Sequence, residues 1–393
     1  MRPGLEMADV VQRFGKQYIE KYCPSAEKTK VLFDILQCRT SSLGGHEERC
    51  DCCNEVCYSY NSCGNRHCPK CLSARQAIWI EKLTKATLPV KHYHIIFTCI
   101  IFTVPHELNP VCLFDRCMYY KLLFSAVWRT LHSFGYTHYG VESGAVCVLH
   151  TWGQNLSLHP HIHCIVPAAG YSLKGEWKRI GTYDDYLYPV HQLSATFKGK
   201  FLDSMERALR KNGMLSGFDP MIQQAWNKPW VVYCEQSMAK AEHVIRYLGQ
   251  YTHRVAIAND RILGMNETHV TFVAKDYRDH AQKKPVTMTG IEFLHRFCLH
   301  ILPKRFVKIR RYGIYNHTTK RNMELKFETD ELPVEKENDW PKETSQERIK
   351  RLTGFDIGQC PRCKKGRMII VRELPRIRSP GYSLQQLIHS FLQ

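Results

Sequence analysis

The first part of the chain has its apolar residues spaced as in amphipathic helices. One apolar stripe runs from Val10 to Tyr22, a second runs from Val31 to Leu36, and the pair Gly44-Gly45 follows them. A further helix, which carries Trp79, is predicted for residues 74–83. The pattern therefore predicts a small helical region at the start of the chain.

From about residue 93 the pattern changes to extended, β-branched sequence, and strands then alternate with helices. The predicted strands are residues 93–104, 144–152, 160–167 and 230–234. The predicted helices run from about Cys117 to a stop at Gly135, from an N-cap at Ser194 to Gly213, and from about Met238 to Tyr251. The order β-α-β-β-α-β-α predicts an α+β fold, with helices lying on a sheet.

The composition is that of a folded, basic protein. Its 393 residues suggest two or three domains, and 44% hydrophobic residues are enough to build their cores. We divide the chain into a helical, zinc- and DNA-binding domain (1–90), a central domain with a basic extension (91–327), and an acidic linker with a cysteine-containing tail (328–393). Neither a signal peptide nor an apolar run long enough for a membrane span is visible, so we expect a cytoplasmic protein that does not contact membranes.

The excess of basic residues indicates a polyanionic partner, since the formal net charge is +18. Residues 301–327 hold eight Lys or Arg against one acidic residue, with aromatic residues between them, which is typical of nucleic-acid binding. Residues 328–347 are acidic instead and are predicted to form a solvated linker. The candidates for phosphate contacts are Arg66, Lys70, Lys304, Arg305, Arg310 and Arg311.

Seven cysteines lie between Cys50 and Cys71. Two pairs with the Cys-x-x-Cys spacing, separated by 14 residues, predict one tetrahedral structural zinc bound by Cys50, Cys53, Cys68 and Cys71. Other potential ligands crowd the same stretch, so a second zinc, or an exchange of Cys63 or His67 into the first site, stays open. Four protein ligands leave no free position on the metal, so the site is expected to support folding and DNA docking.

A separate pair, Cys360 and Cys363, forms only half of a metal site. Two interpretations are open: a turn with two free thiols, or a zinc site completed by distant residues or by a partner.

Two motifs suggest catalysis. His161 and His163 alternate along a predicted strand, so their imidazoles share one face and together can hold one divalent cation. Tyr247 and Tyr251 are four residues apart on a predicted helix and therefore share one side of it. Because a phenol with a pKa near 10 is a poor nucleophile, attack on a phosphodiester requires a metal to polarise the phosphate. The alternatives are a satisfied histidine pair and two tyrosines that pack the helix onto the sheet.

Together these stretches resemble the rolling-circle transposases of the insertion-sequence-91 type. His161-Ile162-His163 is similar to the His-hydrophobe-His (HUH) signature of single-strand endonucleases, and the tyrosines are similar to the family's two-tyrosine motif, within Arg-Tyr-Leu-Gly-Gln-Tyr-Thr-His-Arg at residues 246–254. Residues 61–71, 102–108 and 302–306 are also similar to the family. The resemblance covers most of residues 30–317, in the family's order.

This resemblance implies an antiparallel HUH endonuclease sheet with flanking helices, preceded by a small helical zinc-binding domain. It also implies a transposase that nicks single-stranded DNA at the element ends, forms a 5′-phosphotyrosine through Tyr247 and Tyr251, and transfers the strand in rolling-circle-like transposition. The expected partners are single-stranded element ends and target DNA, in the nucleoid of a bacterial cytoplasm. Because no P-loop motif is present, a host replication helicase is a further expected partner.

The resemblance further implies a catalytic Mg²⁺ or Mn²⁺ bound by His161 and His163. A third ligand is usual in the superfamily, and we expect Gln154, because a hairpin brings it towards His161. Gln250 and His253 are the alternatives. Arg254, at the end of the tyrosine motif, is a further candidate for DNA contact.

Two other functions are open from sequence alone. A plasmid or phage rolling-circle initiator, or a relaxase, would share the histidines and tyrosines, whereas a non-catalytic zinc-dependent DNA-binding protein would keep only the fold. One feature departs from the family: the repeat of Ile-Ile-Phe-Thr within residues 95–103 lengthens the first strand by five residues. An odd insertion reverses the faces of the residues that follow it unless a bulge absorbs it.

Overall fold

The computed structural model describes residues 4–71, 97–180, 187–234, 255–276, 279–316, 318, 343–354 and 356–376. Helices and antiparallel sheets are mixed within them, which confirms the predicted α+β class. Several predictions fall outside the described residues, namely the helices at 74–83 and 238–251 and the side chains of Tyr247, Gln250, Tyr251, His253 and Arg254. None of the described helices is long and apolar enough to cross a membrane.

The helical start of the chain is as predicted. Helices α1 (Met7–Tyr22) and α2 (Ala26–Gln37) bury the two apolar stripes. After a 3-10 turn at Ser41–Leu43, strands β1 (Gly45–Cys50) and β2 (Val56–Tyr60) form a hairpin. The sequence did not predict this hairpin, because β1 is mostly polar, β2 is largely exposed, and neither strand has an alternating apolar face.

A five-stranded antiparallel sheet forms the centre of the molecule, in the order β13-β5-β6-β3-β9. Its strands are β3 (Phe97–Thr103), β5 (Gly144–Trp152), β6 (Leu158–Pro167), β9 (Val232–Cys234) and β13 (Ile309–Gly313). Strand β3 pairs with β6 along its whole length without a bulge. The described part of the Ile-Ile-Phe-Thr repeat is therefore held in a regular ladder.

Four helices accompany this sheet: α3 (Asn109–Phe114), α4 (Arg116–Tyr139), α5 (Val190–Lys211) and α6 (Leu215–Asn227). Alternate residues of the strands, such as Phe102 and Ile162, form one fully buried core with Phe124 of α4 and Phe197 of α5. Because side chains alternate along a strand, the intervening residues of β6 point to the opposite face.

Two predicted helix boundaries are wrong. Helix α4 continues through Gly135 and ends at Tyr139. Its C-cap is Gly140, whose φ is 64°. Gly135 is instead a close-packed position, where an added Cβ would lie 3.2 Å from the carbonyl oxygen of Val141. Helix α5 begins at Val190, so Ser194 is not its N-cap, and the Ser194 hydroxyl donates a hydrogen bond to the carbonyl of Trp230 (2.7 Å).

Residues 255–301, where the sequence defined no elements, form a second sheet and a helix. Strands β10 (Ile262–Met265), β11 (His269–Asp276) and β12 (Gln282–Thr289) are followed by α7 (Gly290–Leu299). Their apolar residues share one core with α1 and α2. The N-terminal helices therefore pack against a distant part of the chain, while the predicted boundary at residues 90/91 lies outside the described residues.

The remaining elements are short. Strands β4 (Val141–Glu142), β7 (Ala169–Ser172) and β8 (Trp177–Arg179) form a small sheet beside α4. Near the C-terminus, α8 (Ser345–Thr353) precedes β14 (Met368–Leu374), which pairs with β1 to give the sheet β14-β1-β2. The C-terminal segment is thus joined to the N-terminal hairpin.

Candidate functional site

Three histidines converge on one face of the central sheet. His161 and His163 lie on β6 on the face opposite the core, and His150 of β5 is paired directly with His161. Their ring centroids are 5.4 Å (His150–His161), 4.6 Å (His150–His163) and 5.0 Å (His161–His163) apart. One nitrogen of each ring lies within 4.8 Å of the others, so this histidine triad can hold one metal ion.

A bulge places His150 on this face. Along most of the β5–β6 pair the register joins His150 to His161, but at the hairpin end it shifts so that Trp152 faces Leu158. The extra residue lies in β6, next to Pro160, which has no N–H to give to the ladder and is suited to a bulge. Without the shift, His150 would face Pro160 and point towards the core.

The imidazole of His161 is in the form that binds a metal. Nδ1 of His161 lies 2.7 Å from the carbonyl oxygen of His159. Donation of the Nδ1 proton to this oxygen leaves the lone pair of Nε2 available as a ligand. Burial, together with the adjacent His159 ring, lowers the pKa of His161 to about 4. The ring is therefore neutral at physiological pH.

The hairpin turn that contains Gln154 is anchored by residues 255–301. Arg261 donates to the carbonyl of Gln154 (2.5 Å), and Arg296 donates to that of Asn155 (3.3 Å). Buried His300 lies 3.2 Å from the Thr151 hydroxyl and 3.1 Å from the Leu156 carbonyl. These contacts hold the turn at the end of β5. Residues 255–301, which share a core with α1 and α2, therefore help to position the histidine triad.

His150 is the member of the histidine triad that the sequence did not predict. Gln154 was predicted as the third ligand because the hairpin leads from it to His161. The structure places Gln154 in the turn and His150 within the histidine triad, while a role of the Gln154 side chain stays a prediction. Period-two alternation predicts which residues of β5 share a face with His150, but not that this face is the one that carries His161 and His163.

An aromatic residue and a lysine border the triad. Trp152 stacks on His150, with ring centroids 4.8 Å apart, and the ammonium of Lys308 lies 5.0 Å from the Trp152 ring. Burial lowers the pKa of Lys308 to about 7. Its positive charge in turn lowers the pKa of His161.

The four cysteines predicted for a single zinc site are divided between two clusters. The N-terminal thiol cluster consists of Cys38, Cys63, Cys68 and Cys71, and the joining thiol cluster consists of Cys50, Cys53, Cys360 and Cys363. The β1–β2 hairpin separates them: Cys50 and Cys53 lie at its turn, whereas Cys38 precedes it and Cys63 follows it. The prediction paired the two Cys-x-x-Cys motifs because they are neighbours in the sequence. The spacing alone could not show that the hairpin between them holds the two motifs apart.

The N-terminal thiol cluster fits a tetrahedral zinc. Zinc–sulfur bonds of about 2.3 Å place the sulfurs roughly 3.8 Å apart. The Sγ of Cys71 lies 3.5 Å from that of Cys38 and 3.6 Å from that of Cys63. Cys38, Cys68 and Cys71 are buried, which suits a closed structural site.

The predicted phosphate contacts have different surroundings. The guanidinium of Arg66 donates to three backbone carbonyls, those of Leu302, Pro303 and Phe306 (3.2, 2.9 and 2.7 Å). Lys70 forms an ion pair with Glu6 (2.5 Å), and Arg310 lies over the Phe124 ring (4.2 Å). The side chains of Lys304, Arg305 and Arg311 are exposed.

Known proteins match almost the whole chain. The family model described as "Transposase zinc-binding domain" matches residues 10–99, and the one described as "Putative transposase" matches residues 144–323. A relative from Sinorhizobium fredii, named "Putative transposase y4qJ", is 36% identical over 96% of this chain and 98% of its own. The chain belongs to the insertion-sequence-91 family of transposases.

A second relative is more distant. The transposase for insertion sequence element IS801 of Pseudomonas savastanoi pv. phaseolicola is 25% identical over 73% of this chain and 70% of its own. No solved structure matches the chain. For this transposase, the expected N-terminal zinc-binding domain is confirmed by the family model, and the N-terminal thiol cluster lies within its range.

Proposed function

We propose that this transposase nicks single-stranded DNA at the ends of its element and transfers the cut strand by rolling-circle-like transposition. The observation that carries the proposal is the convergence of His150, His161 and His163 on one face of the sheet. Three protein ligands leave an open position on a metal for a phosphate oxygen, whereas a closed structural site uses four. Tyr247 and Tyr251 are the proposed nucleophiles.

The three imidazoles are the proposed ligands of the catalytic metal, with His150 in place of Gln154 as the third. Their donor set distinguishes between the two expected ions, since Mg²⁺ takes oxygen ligands and Mn²⁺ also accepts imidazole nitrogen. We therefore favour Mn²⁺. When bound, the ion polarises the scissile phosphate and offsets the charge that develops on it.

The position of β9 suits the tyrosine assignment. This edge strand ends at Cys234, which lies opposite Ile100 of β3, and Ile100 lies opposite Cys164 of β6. His161 lies three residues from Cys164, or about 10 Å along the strand. The helix predicted for residues 238–251 would advance about 14 Å by Tyr247. The predicted helix is therefore long enough to cover the distance from the end of β9 to the level of His161, which supports Tyr247 as a proposed nucleophile.

The reaction is a transfer of one phosphodiester bond. The phenolic oxygen of one tyrosine attacks phosphorus, a tyrosine–phosphorus bond forms, and the bond from phosphorus to the 3′ oxygen breaks. The phenol loses its proton, and the 3′ oxygen leaves as a hydroxyl after gaining one. The 5′-phosphotyrosine conserves the energy of the broken bond, so a 3′ hydroxyl can later rejoin the strand without ATP.

The proposed contacts with the DNA strand are basic side chains at one edge of the sheet. Lys304, Arg305 and Arg311 are exposed and lie on or just before β13, the strand beside β5. Exposed guanidinium and ammonium groups bind phosphates without reading sequence. We therefore propose that the single strand follows this edge of the sheet towards the histidine triad.

A covalent-adduct assay tests the proposal. Purified protein is incubated with a labelled single-stranded element-end oligonucleotide and Mn²⁺ or Mg²⁺, and the products are separated on a denaturing gel. We expect a labelled protein band that disappears when Tyr247 and Tyr251 are both replaced by Phe. Tyr136→Phe, a change at an exposed tyrosine of α4, is the matched control and should keep the adduct.

The outcomes separate the candidate functions. A protein that binds the oligonucleotide without forming an adduct is a non-catalytic DNA-binding protein. An adduct that persists in the double Phe variant contradicts the proposed nucleophiles. Adduct formation on a plasmid origin but not on element ends would identify a replication initiator or relaxase. Transposition that persists in a helicase-deficient host would exclude the proposed helicase partner.

A further inference from the structure

The C-terminal cysteine pair lies beside the turn of the N-terminal hairpin. The Sγ atoms are 3.7 Å apart for Cys50 and Cys363, and 3.7 Å apart for Cys53 and Cys360. These residues are separated by 313 and 307 positions in the sequence. The matched family models cover residues 10–99 and 144–323, so neither includes the C-terminal pair.

The two Cys-x-x-Cys turns are built alike. The residue after the second cysteine has a positive φ in both, 59° at Asn54 and 57° at Lys364, which is uncommon for residues other than glycine. Backbone N–H groups also point at the sulfurs: that of Cys53 lies 3.5 Å from Cys50 Sγ, and that of Gly366 lies 3.3 Å from Cys363 Sγ. Such donors stabilise thiolates, the form that binds metals. The repeated turn indicates two halves of one site.

The distances fit zinc. Four thiolates at about 2.3 Å from a tetrahedral zinc lie roughly 3.8 Å from one another, close to the 3.7 Å observed for two of the pairs. Cys50 and Cys360 are buried. A closed set of four soft sulfur ligands favours zinc over Mg²⁺ and Mn²⁺, the two ions considered for the histidine triad.

We propose that the joining thiol cluster binds a second structural zinc, which fastens the C-terminal segment to the N-terminal domain. The other contacts between these segments are strand pairing and ion pairs. Strand β14 pairs with β1, and Arg362 and Arg372 pair with Glu55 and Glu47 (2.6 and 2.8 Å). Ion pairs with exposed side chains contribute little, so the metal would add a strong cross-link to the strand pairing of this long chain closure.

The second zinc would hold β14 in place beside β1. Strand β1 is the central strand of the sheet β14-β1-β2. Loss of the second zinc releases β14 and converts β1 into an open edge, while the N-terminal thiol cluster, at the other end of the hairpin, keeps its own metal. Six residues of β1 separate the two sites by about 20 Å. The two ions therefore respond independently to loss of ligands.

Zinc counting tests this proposal without reference to nicking. The full chain is purified without added chelator, and zinc per protein is measured by inductively coupled plasma mass spectrometry. We expect about two zinc ions per chain in the natural protein and about one in Cys360→Ser/Cys363→Ser. The matched control Cys52→Ser/Cys57→Ser, which changes two hairpin thiols outside both clusters, should keep two. A double variant that retains the natural zinc content would overturn the proposal.

A measurement on the natural chain covers the case in which the variant fails to fold. The zinc-loaded protein is treated with N-ethylmaleimide before and after chelation, and each cysteine is followed by peptide mass spectrometry. Cys360 and Cys363 should be alkylated at least tenfold faster after chelation, whereas the exposed Cys23 and Cys117 should react alike in both states. Equal rates for Cys363 with and without chelator would refute a metal at this cluster.

A glycine provides a test that removes no thiol. A Cβ added at Gly366 would lie 2.5 Å from both Cys50 Sγ and Asp51 Oδ1. Gly366→Ala should therefore push the two turns apart and lower zinc from about two to about one, while Gly217→Ala, where nothing lies within 4 Å, should leave it unchanged. If Gly366→Ala retains two zinc ions and the natural alkylation pattern, the two turns do not share a metal.

Discussion

His150 of β5 lies directly opposite His161 of β6, with ring centroids 5.4 Å apart. This pairing depends on the bulge beside Pro160, because a regular hairpin would bring Pro160 opposite His150. A single extra residue thus determines whether the third imidazole joins the proposed metal site or points into the core. Two neighbouring strands of the sheet contribute the three imidazoles.

The first prediction concerns this third ligand. His150→Ala should weaken Mn²⁺ binding by about 10–100-fold or more, since even changes to residues that only support a ligand cost this much. Isothermal titration with Mn²⁺ measures the affinity, and the yield of covalent adduct should fall in parallel.

The control for this prediction is His159→Ala. The ring of His159 is 5.1 Å from that of His161 but lies outside the histidine triad, and the hydrogen bond to Nδ1 of His161 comes from the backbone carbonyl of His159, which the variant keeps. The variant should therefore bind Mn²⁺ almost normally. Normal Mn²⁺ binding by His150→Ala combined with a loss in Gln154→Ala would restore Gln154 as the third ligand. Equal losses in His150→Ala and His159→Ala would contradict a specific role of the His150 imidazole.

Much of the site could be predicted from the sequence, and the limit was strand register. Alternation along β6 correctly assigned His161 and His163 to one face and Ile162 to the core. The position of His150 depends on a bulge, which the pattern of apolar residues does not encode. The grouping of the cysteines likewise depends on the β1–β2 hairpin and on a pairing with β14, more than 300 residues away.

The fold shows the same division between local and long-range information. The apolar stripes of α1 and α2 and the strands β5 and β6 were evident, because each buries a regular face. The sheet of residues 262–289 was not, since the burial of β12 is slight and polar residues alternate irregularly along it. Its apolar partners lie on α1, far away in the sequence, so no local signal marks it as core.

The second prediction separates a structural arginine from a DNA-binding one. Arg66→Ala leaves three backbone carbonyls without their charged donor and should lower the free energy of unfolding by about 2–4 kcal/mol. Arg305→Ala, an exposed position, should change stability by no more than about 0.5 kcal/mol. Arg305→Ala should instead reduce the number of ions released on DNA binding by about one, measured as the slope of log affinity against log salt concentration. Urea denaturation and binding titrations at several salt concentrations measure both quantities.

The outcome for Arg66 has a clear alternative. If Arg66→Ala is as stable as the natural protein and loses DNA affinity as strongly as Arg305→Ala does, the guanidinium contacts phosphate in solution. The hydrogen bonds to Leu302, Pro303 and Phe306 would then contribute little to the fold.

The third prediction tests the core shared by α1 and α7. An added Cβ at Gly290 would overlap the ring of Phe14, which is fully buried. Gly290→Ala should therefore destabilise the protein by about 1–3 kcal/mol through overpacking. Gly199→Ala is the matched control, because it lies inside α5 with nothing within 4 Å and should stabilise by about 0.5–1 kcal/mol. A lower Tm for Gly290→Ala together with a higher Tm for Gly199→Ala would confirm this packing, and equal changes in Tm for the two variants would contradict it.

The fourth prediction concerns His300, which holds the hairpin turn beside the triad. Burial lowers the pKa of His300 to about 4. Its neutral ring is suited to donate to the Leu156 carbonyl and to accept from the Thr151 hydroxyl. An unfolded histidine has a pKa near 6.5, so between these values the unfolded chain binds a proton and the folded chain does not. Stability linked to His300 is therefore present above about pH 6.5 and is lost as the pH falls towards 4, by about 3 kcal/mol in all.

His300→Gln isolates this contribution, because an amide can both donate to Leu156 and accept from Thr151 but does not titrate. Other groups that titrate in acid, including carboxylates and zinc-bound thiolates, are common to both proteins and cancel in the comparison. The stability difference between the natural protein and His300→Gln, measured by urea unfolding, should be largest near pH 7 and should decrease by about 3 kcal/mol by pH 4. A difference that stays constant over this range would show that the pKa of His300 is the same in the folded and unfolded states. The anchoring of the turn would then have to come from Arg261 and Arg296.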